Sequence, residues 1–143
     1  MTSAEHAEAI RRRVATIPIA ETLQMRDLEL SDGVCQLVVP RQRRYDGVFE
    51  SFHGGLLMTA ADSAACFAIL TLTSADQLLT TTDMNIRFLA PCLTDVRVTA
   101  RVIKHGRLLC PVAVDQVDAD GKLVAVAQVT YMLLDRMPAR PSS

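Results

Sequence analysis

The sequence of 143 residues contains no tryptophan and few aromatic side chains of any kind, which make up 4% of the chain. It also lacks a charge excess, because its formal net charge is -1. Proteins that bind nucleic acid through the phosphates usually carry a basic excess, so this composition argues against a general nucleic-acid binder. Half of the residues are hydrophobic, and the length suits a single domain, which we expect over residues 1–143.

Metal-binding and targeting signals are missing as well. The four cysteines form no C-x-x-C pair and lie at no metal-ligand spacing from a histidine, so we expect buried free thiols and no metal site. Free thiols are typical of a reducing, cytoplasmic setting. The N-terminus has no apolar core of a secretory signal. The apolar stretch from Leu56 to Leu72 contains Asp62, which would be costly in a bilayer, so we expect no membrane span.

The order of elements is readable from caps, turns and periodicity. Residues 1–20 are predicted to be an N-terminal helical segment, with a helix over residues 4–15 that is capped by Ser3 or Thr2 and a segment end at Pro18. Two short apolar runs joined by Ser-Asp-Gly predict a hairpin over residues 21–40. A long helix is predicted over residues 54–73. The remaining apolar runs predict about four consecutive strands over 78–91, 95–106, 107–121 and 122–135, and then a frayed tail over 136–143.

The long helix is apolar on nearly every side, which an ordinary surface helix is not. A run of antiparallel strands next to such a helix can bury it by curling around it. We therefore predict an α+β fold in which a curved antiparallel sheet wraps a long central helix. In that position the carboxylate of Asp62 requires a bonding partner or a function.

The helix begins with His53-Gly54-Gly55, which is more typical of an ordinary loop-to-helix junction than of a site. Asp62 changes this interpretation, because the free N–H groups at a helix start can stabilise an oxyanion near a base. Gly55 and Asp62 are seven residues apart, which is about 10 Å along a helix. Asp62 and the Gly55 N–H of one chain cannot easily both reach the carbonyl of one substrate. If they form one active site, we expect a two-fold dimer in which Asp62 of one chain lies near Gly55 of the other.

At these residues the chain resembles the hotdog-fold acyl-CoA thioesterases, most closely the phenylacetate-pathway and 4-hydroxybenzoyl-CoA thioesterase type. The resemblance covers roughly Val34 to Leu134, within a hotdog domain that we place at residues 21–135. Its motifs are His-Gly-Gly at 53–55, Asp62, "TTDMNIRFLAP" at 81–91 and "VIKHGRLL" at 102–109.

The resemblance implies a catalytic role for four residues. Asp62 would act as general base or nucleophile, and the Gly55 N–H would polarise the thioester carbonyl. His53 would shape the loop, and Thr81 would help to hold the attacking water. The resemblance also implies homodimers, often paired into homotetramers, whose sites are shared between subunits. No cofactor is implied, since coenzyme A is part of the substrate.

Further residues are candidates for substrate binding. Cys66 lies one helical turn after Asp62 and is expected to line the pocket. Basic residues suit the phosphates of CoA, and the corner at 104–107 often meets the nucleotide in relatives. Gly47 stands where many relatives carry Asn or Gln, and Glu50 stands where many carry Gly. The predicted substrate-binding residues are Gly54, Asp46, Gly47, Cys66, Arg87, Lys104, Gly106 and Arg107.

Two other functions remain open at this point. A non-catalytic acyl-CoA binding or sensing module would account for the missing amide side chain at Gly47. An enoyl-CoA hydratase shares the fold, but its sites usually pair an Asp with a His five residues later. The residue five positions after Asp62 is Phe67 and not His, so we rank the hydratase last.

Overall fold

A computed structural model describes residues 2–135 of the chain, so the tail expected over 136–143 lies outside the described residues. Helices and strands follow the predicted order. They are α1 (Ala4–Val14), α2 (Pro18–Thr22), β1 (Arg26–Ser31), β2 (Val34–Val39), a 3-10 turn (Arg43–Tyr45), α3 (Gly54–Leu70), β3 (Leu78–Phe88), β4 (Val96–Val102), β5 (Leu109–Asp118) and β6 (Leu123–Leu134).

The N-terminal segment confirms one prediction and corrects another. Ser3 caps α1, because its side chain accepts a hydrogen bond of 3.0 Å from the His6 N–H. The helix expected over residues 4–15 is α1, which ends at Val14, but Pro18 begins α2 and does not end the helical segment. Proline is well suited to the first position of a helix, because its missing N–H would have no partner there.

The six strands form one antiparallel sheet in the order β1-β2-β4-β5-β6-β3. The predicted hairpin is the β1–β2 pair, and Gly33 in its turn has a φ of +71°, in the region that favours glycine. Strand β3 is 11 residues long and lies at the edge of the sheet, with β6 as its neighbour. One long edge is therefore available for pairing with another chain.

Helix α3 lies against the inner face of the sheet and forms the middle of the core. Alanines at positions 60, 61, 64, 65 and 68 are fully buried, and their small side chains allow the sheet to approach closely. The helix ends at Leu70, three residues before the predicted end. Thr71 closes it, since its hydroxyl donates to the Ala68 carbonyl and accepts from the Gly33 N–H. The predicted curved sheet around a central helix is confirmed.

Candidate active site

Asp62 is held by two hydroxyl groups on neighbouring strands. The Thr81 hydroxyl donates to Asp62 Oδ1 over 2.6 Å. The Tyr131 hydroxyl lies 2.9 Å from the same oxygen and 2.9 Å from the main-chain carbonyl of Asp62. Thr81 on β3 and Tyr131 on β6 are directly paired across the sheet, so the strand register brings both to the carboxylate. The carboxylate in the apolar helix therefore has the partners that its position requires.

This arrangement leaves one carboxylate oxygen available. No hydrogen bond to Asp62 Oδ2 occurs within residues 2–135, and the residue is only half-buried. Burial raises the pKa of the Tyr131 phenol far above its ordinary value of 10.0, and the nearby Cys66 and Asp62 contribute to this rise. Tyr131 therefore keeps its proton and acts as a hydrogen-bond donor. Asp62 can thus act on a substrate through Oδ2 while Oδ1 fixes its orientation.

Cys66 lies one turn after Asp62 on α3, as the sequence spacing indicated. Burial raises the pKa of its thiol to about 11, and the negative charge of Asp62 adds to the rise. The thiolate is the nucleophilic form of cysteine, so Cys66 is unreactive at neutral pH. Its geometry fits a side chain that packs beside the carboxylate.

The start of α3 has an unusual cap. His53 occupies the N-cap position, and its Nδ1 accepts a hydrogen bond of 2.9 Å from the Gly55 N–H. A ring nitrogen that accepts must be unprotonated, so this bond assigns the proton of the neutral ring to Nε2. The Gly54 N–H makes no hydrogen bond within the described part of the chain. The two glycines therefore differ, because only Gly54 offers an N–H without an acceptor.

An apolar groove runs beside Gly54. It has a volume of about 700 Å³, which lies in the range of small-molecule sites. Phe88 packs so closely that a Cβ added to Gly54 would lie 3.1 Å from its ring, and Phe49, which also lines the groove, is 89% exposed. The residues that line the groove are Phe49, Ser51, Phe52, Gly54, Leu57, Phe88, Leu89, Ala90, Pro91, Cys92 and Leu93.

Asp46 organises the loop that leads to His53. Arg41 donates to both of its carboxylate oxygens, over 3.1 and 2.6 Å, and also donates to the Glu50 carbonyl over 2.8 Å. The hydrogen bond from Arg41 lowers the pKa of Asp46 and, in return, raises the pKa of Arg41. The structure thus places Asp46 in an internal ion pair near the helix start, with its oxygens already engaged.

The loop turns sharply at Gly47–Ser51. The Glu50 N–H donates to the Gly47 carbonyl, and Val48 and Phe49 project from the tip, each 89% exposed. Glu50 has a φ of +55°, a left-handed conformation that favours glycine. Glu50 is therefore a non-glycine residue in a strained turn. Gly47 lies beside His53, and a Cβ there would have no neighbour closer than 3.8 Å.

The basic candidates for CoA binding divide into two groups. Lys104 and Arg107 are exposed in the loop between β4 and β5. Cys110, just after this loop, pairs with Tyr131, so the loop lies at the Asp62 end of the sheet. Arg87 is exposed beside Phe88, at the end that carries the helix start.

Gly106 lies at a point where its loop approaches β5 very closely. A Cβ on Gly106 would lie 2.2 Å from the carbonyl oxygen of Leu109, a distance that no side chain could tolerate. Only glycine therefore fits this position, so the residue has a structural reason to be there. A role of Gly106 in substrate binding stays a prediction.

The site residues predicted from the sequence form two clusters within one chain. Asp62, Thr81 and Cys66 come together, and Gly54, Gly55 and His53 come together. Eight residues separate Gly54 from Asp62, which is about 12 Å along the helix. The sequence interpretation missed Tyr131, which lies 69 residues from Asp62. Its only signal was an inward-facing position in the alternating pattern of β6.

Metal sites and membrane spans were searched within residues 2–135. No group of three or more His, Cys, Asp or Glu side chains there is arranged to hold a metal ion. None of the helices in this range has the length and apolar character needed to cross a membrane. The four cysteines are all free, as predicted. Cys35, Cys92 and Cys110 are also buried as predicted, whereas Cys66 is only half-buried.

Comparisons with known proteins identify the family. A model of the thioesterase superfamily matches residues 49–125. Human acyl-coenzyme A thioesterase 13 is 31% identical over 103 residues, which cover 70% of this chain and 71% of that protein.

Solved structures show the same architecture. A thioesterase family protein from Silicibacter pomeroyi superposes with a TM-score of 0.83 at 27% identity, over 90% of this chain and 98% of that one. The PaaI protein from the phenylacetic acid degradation operon of E. coli superposes with a TM-score of 0.84 at 19% identity, over 94% and 96%. The resemblance to hotdog-fold thioesterases is confirmed. The chain belongs to the thioesterase superfamily, and it is a thioester hydrolase.

Proposed function

We propose that this thioester hydrolase acts on an acyl-CoA and releases a free acid and CoA. The observation that carries the proposal is the carboxylate of Asp62, which Thr81 and Tyr131 hold through one oxygen while the other is free to react. The name of the human relative supports CoA as the leaving group. The apolar groove beside Gly54 supports a medium-chain or aryl acyl group.

The chemistry needs one base and one oxyanion site. Water attacks the thioester carbon and gives a proton to Asp62 Oδ2, and the tetrahedral intermediate then expels the CoA thiolate, which takes up that proton. Thr81 donates its own proton to Oδ1, so its lone pairs can accept a hydrogen bond from the attacking water. As a nucleophile, Oδ2 would instead displace the thiolate and form a mixed anhydride, which water hydrolyses.

The structure favours a different oxyanion donor from the one expected from the sequence. The Gly55 N–H, expected to polarise the carbonyl, already donates to His53 Nδ1. The Gly54 N–H is free of such a bond and borders the groove. We therefore propose Gly54 as the first oxyanion donor and His53 as the residue that orients the helix start. Gly55 can add its N–H only after the His53 ring turns away.

Two copies of the chain complete the site. Asp62 and Gly54 of one chain are about 12 Å apart along the helix, too far to serve one carbonyl. Antiparallel pairing of β3 with a second β3 would set Leu78 of one copy opposite Phe88 of the other. This brings the Gly54 end of one copy next to the Thr81 and Asp62 of its neighbour.

The same pairing gathers the basic side chains. Lys104 and Arg107 lie at the Asp62 end of one copy, and Arg87 lies at the helix-start end of the other. In a paired assembly both groups face one site, where they can bind the phosphates of CoA. We propose a homodimer, or a homotetramer built as a dimer of dimers. The free cysteines support a reducing, cytoplasmic location.

Thiol release from a panel of acyl-CoAs tests this function. The panel contains acetyl, hexanoyl, decanoyl, palmitoyl, phenylacetyl and hydroxybenzoyl thioesters. Asp62→Asn keeps the shape and the contacts with Thr81 and Tyr131, and it should lower kcat by about 10²–10⁴ because it removes the base. Asp76→Asn, at an exposed loop position, is the matched control and should leave kcat unchanged. Bound CoA without turnover on any substrate would contradict the proposal and indicate a binding module.

A further inference from the structure

Arg41 lies just after β2 and joins separate parts of the chain. Its Nε and Nη2 donate to the carboxylate of Asp46 over 3.1 and 2.6 Å, and Nη2 also donates to the Glu50 carbonyl over 2.8 Å. Its Nη1 donates to the Leu93 carbonyl over 2.9 Å, and its main-chain N–H donates to the Asp95 carboxylate over 2.8 Å. All three nitrogens of the guanidinium are therefore engaged, and they reach acceptors on different segments.

The contacts of Arg41 are sheltered from solvent. The side chains of Arg41 and Asp46 are only 13% and 11% exposed. Bidentate, charge-assisted hydrogen bonds in such a place are stronger and more restrictive than an exposed ion pair. Within residues 2–135, no other side chain from outside the loop of residues 46–52 makes a hydrogen bond to it. Arg41 is therefore the polar side chain on which the position of this loop depends.

The loop and the segment around Leu93 both border the groove beside Gly54. Phe52 ends the loop and donates its N–H to the Cys92 carbonyl over 2.8 Å. Gly54 follows two residues later, as the first residue of α3. Phe52, Cys92 and Leu93 line the groove together with Gly54. Because the guanidinium bonds both to Leu93 and to the loop, it holds together the two segments that surround the start of the helix.

We propose that Arg41 is a positioning residue for the hydrolysis and that it acts by fixing the Gly54 N–H at the oxyanion position. Arg41 acts through Gly54 and not on the substrate, because its three nitrogens are already engaged. A displacement of about 1 Å at a group that stabilises the transition state can lower the rate about 100-fold. This inference rests on the proposed function, because it assumes that the Gly54 N–H is an oxyanion donor.

Arg41→Lys tests this role with a small change. Lysine keeps the positive charge beside Asp46, but one nitrogen cannot replace three that reach different acceptors. We expect kcat to be about 10–100-fold lower and KM to change less than about threefold, since the lost interaction belongs to the transition state. Arg26→Lys is the matched control, because Arg26 bonds to Asp95 in an exposed ion pair that does not reach the loop, and it should retain the wild-type kcat.

A double-mutant cycle with Gly54 separates positioning from a merely structural role. Proline at position 54 removes the N–H, whereas Gly54→Ala retains it. Arg41→Lys should lower kcat about 10–100-fold in the Gly54→Ala background but less than about threefold in Gly54→Pro, since no N–H is then left to misplace. Equal losses in the two backgrounds would overturn the inference.

Amide hydrogen exchange tests the hold on the loop without any turnover. The Gly47 N–H donates to the Ser51 carbonyl, and the Glu50 N–H donates to the Gly47 carbonyl. In Arg41→Lys these amides should exchange at least about 10-fold faster than in the wild type, while the amides of β4 and β5 keep their rates. Unchanged exchange in the loop would overturn the inference whatever the activity of the variant.

A second variant keeps the test decisive if Arg41→Lys folds poorly. Arg41→Met combined with Asp46→Leu removes both charges together, so neither is left buried without its partner, and it enters the same cycle. The failures of the two proposals differ. No hydrolysis of any thioester by the wild type would refute the proposed function, and with it the catalytic use of Arg41. Normal hydrolysis by the wild type, with equal losses in the two Gly54 backgrounds, would overturn only the role of Arg41.

Discussion

Replacing Gly54 by proline removes one backbone N–H from the start of α3 and changes little else. Gly54 is the first residue of the helix, where proline is tolerated because no intrahelical bond uses that N–H. The preceding His53 has φ -59° and ψ 127°, which is the extended conformation that a residue before proline prefers. The new side chain would meet the ring of Phe88, which is half exposed and can yield.

The magnitude follows from the role that we propose for this N–H. Loss of one oxyanion-hole donor lowers kcat by about 10²–10³, equivalent to about 2.7–4 kcal/mol of transition-state stabilisation. Gly54→Ala is the matched control, since it adds the same contact with Phe88 but retains the N–H. The ratio of kcat between the alanine and proline variants therefore separates the effect of losing the N–H from the effect of crowding against Phe88.

The assay is thiol release at saturating acyl-CoA, together with thermal unfolding of both variants. We expect similar melting temperatures and a kcat at least about 100-fold lower in Gly54→Pro than in Gly54→Ala. Gly55→Pro should lower kcat less than Gly54→Pro does, because the Gly55 N–H already donates to His53. Equal kcat in the two Gly54 variants, with a collapse only in Gly55→Pro, would refute the assignment and mean that His53 turns away during catalysis.

Three further changes have defined consequences. Glu50→Gly should raise the free energy of unfolding by about 1 kcal/mol, because glycine tolerates a φ of +55°, whereas Glu50→Ala should give no such gain in chemical denaturation. Tyr131→Phe should lower the free energy of unfolding by about 1 kcal/mol through the lost bond to Asp62, and an unchanged value would contradict that bond. Because Arg41 lowers the pKa of Asp46 below its ordinary value of 3.8, the ion pair stabilises the fold above about pH 4, and its contribution disappears at lower pH. Asp46→Asn should therefore lower Tm at pH 7, by an amount that shrinks below pH 4; a difference that does not depend on pH would contradict this account.

Local signals were sufficient for most of the architecture. The apolar stretch after His53 predicted a central helix because no side of it suited solvent. Alternation predicted β4, and two apolar runs joined by a turn predicted β5 and β6. The spacing of Cys66 from Asp62 placed both on one helix face. Pro18 was misread, because proline ends one helix and begins the next with the same geometry, and the sequence does not distinguish these roles locally.

Features that depend on tertiary contacts were harder to predict. Tyr131 reaches Asp62 only because the sheet register pairs it with Thr81. The bond from Gly55 to His53 depends on the orientation of one ring, and it changed which glycine can serve as the free donor. Gln116 is a polar residue whose complete burial the sequence does not indicate. Each of these depends on distances between elements, which residue patterns along the chain do not encode.

Subunit complementation tests most directly whether Asp62 of one copy works with the helix start of another. Asp62→Asn and Gly54→Pro chains are each expected to be nearly inactive alone. After the two are unfolded together in equal amounts and refolded, half of the dimers are mixed and each contains one intact site, so about a quarter of the wild-type kcat should return. A mixture as inactive as its two components, with exchange confirmed by mass spectrometry, would contradict a site shared between subunits.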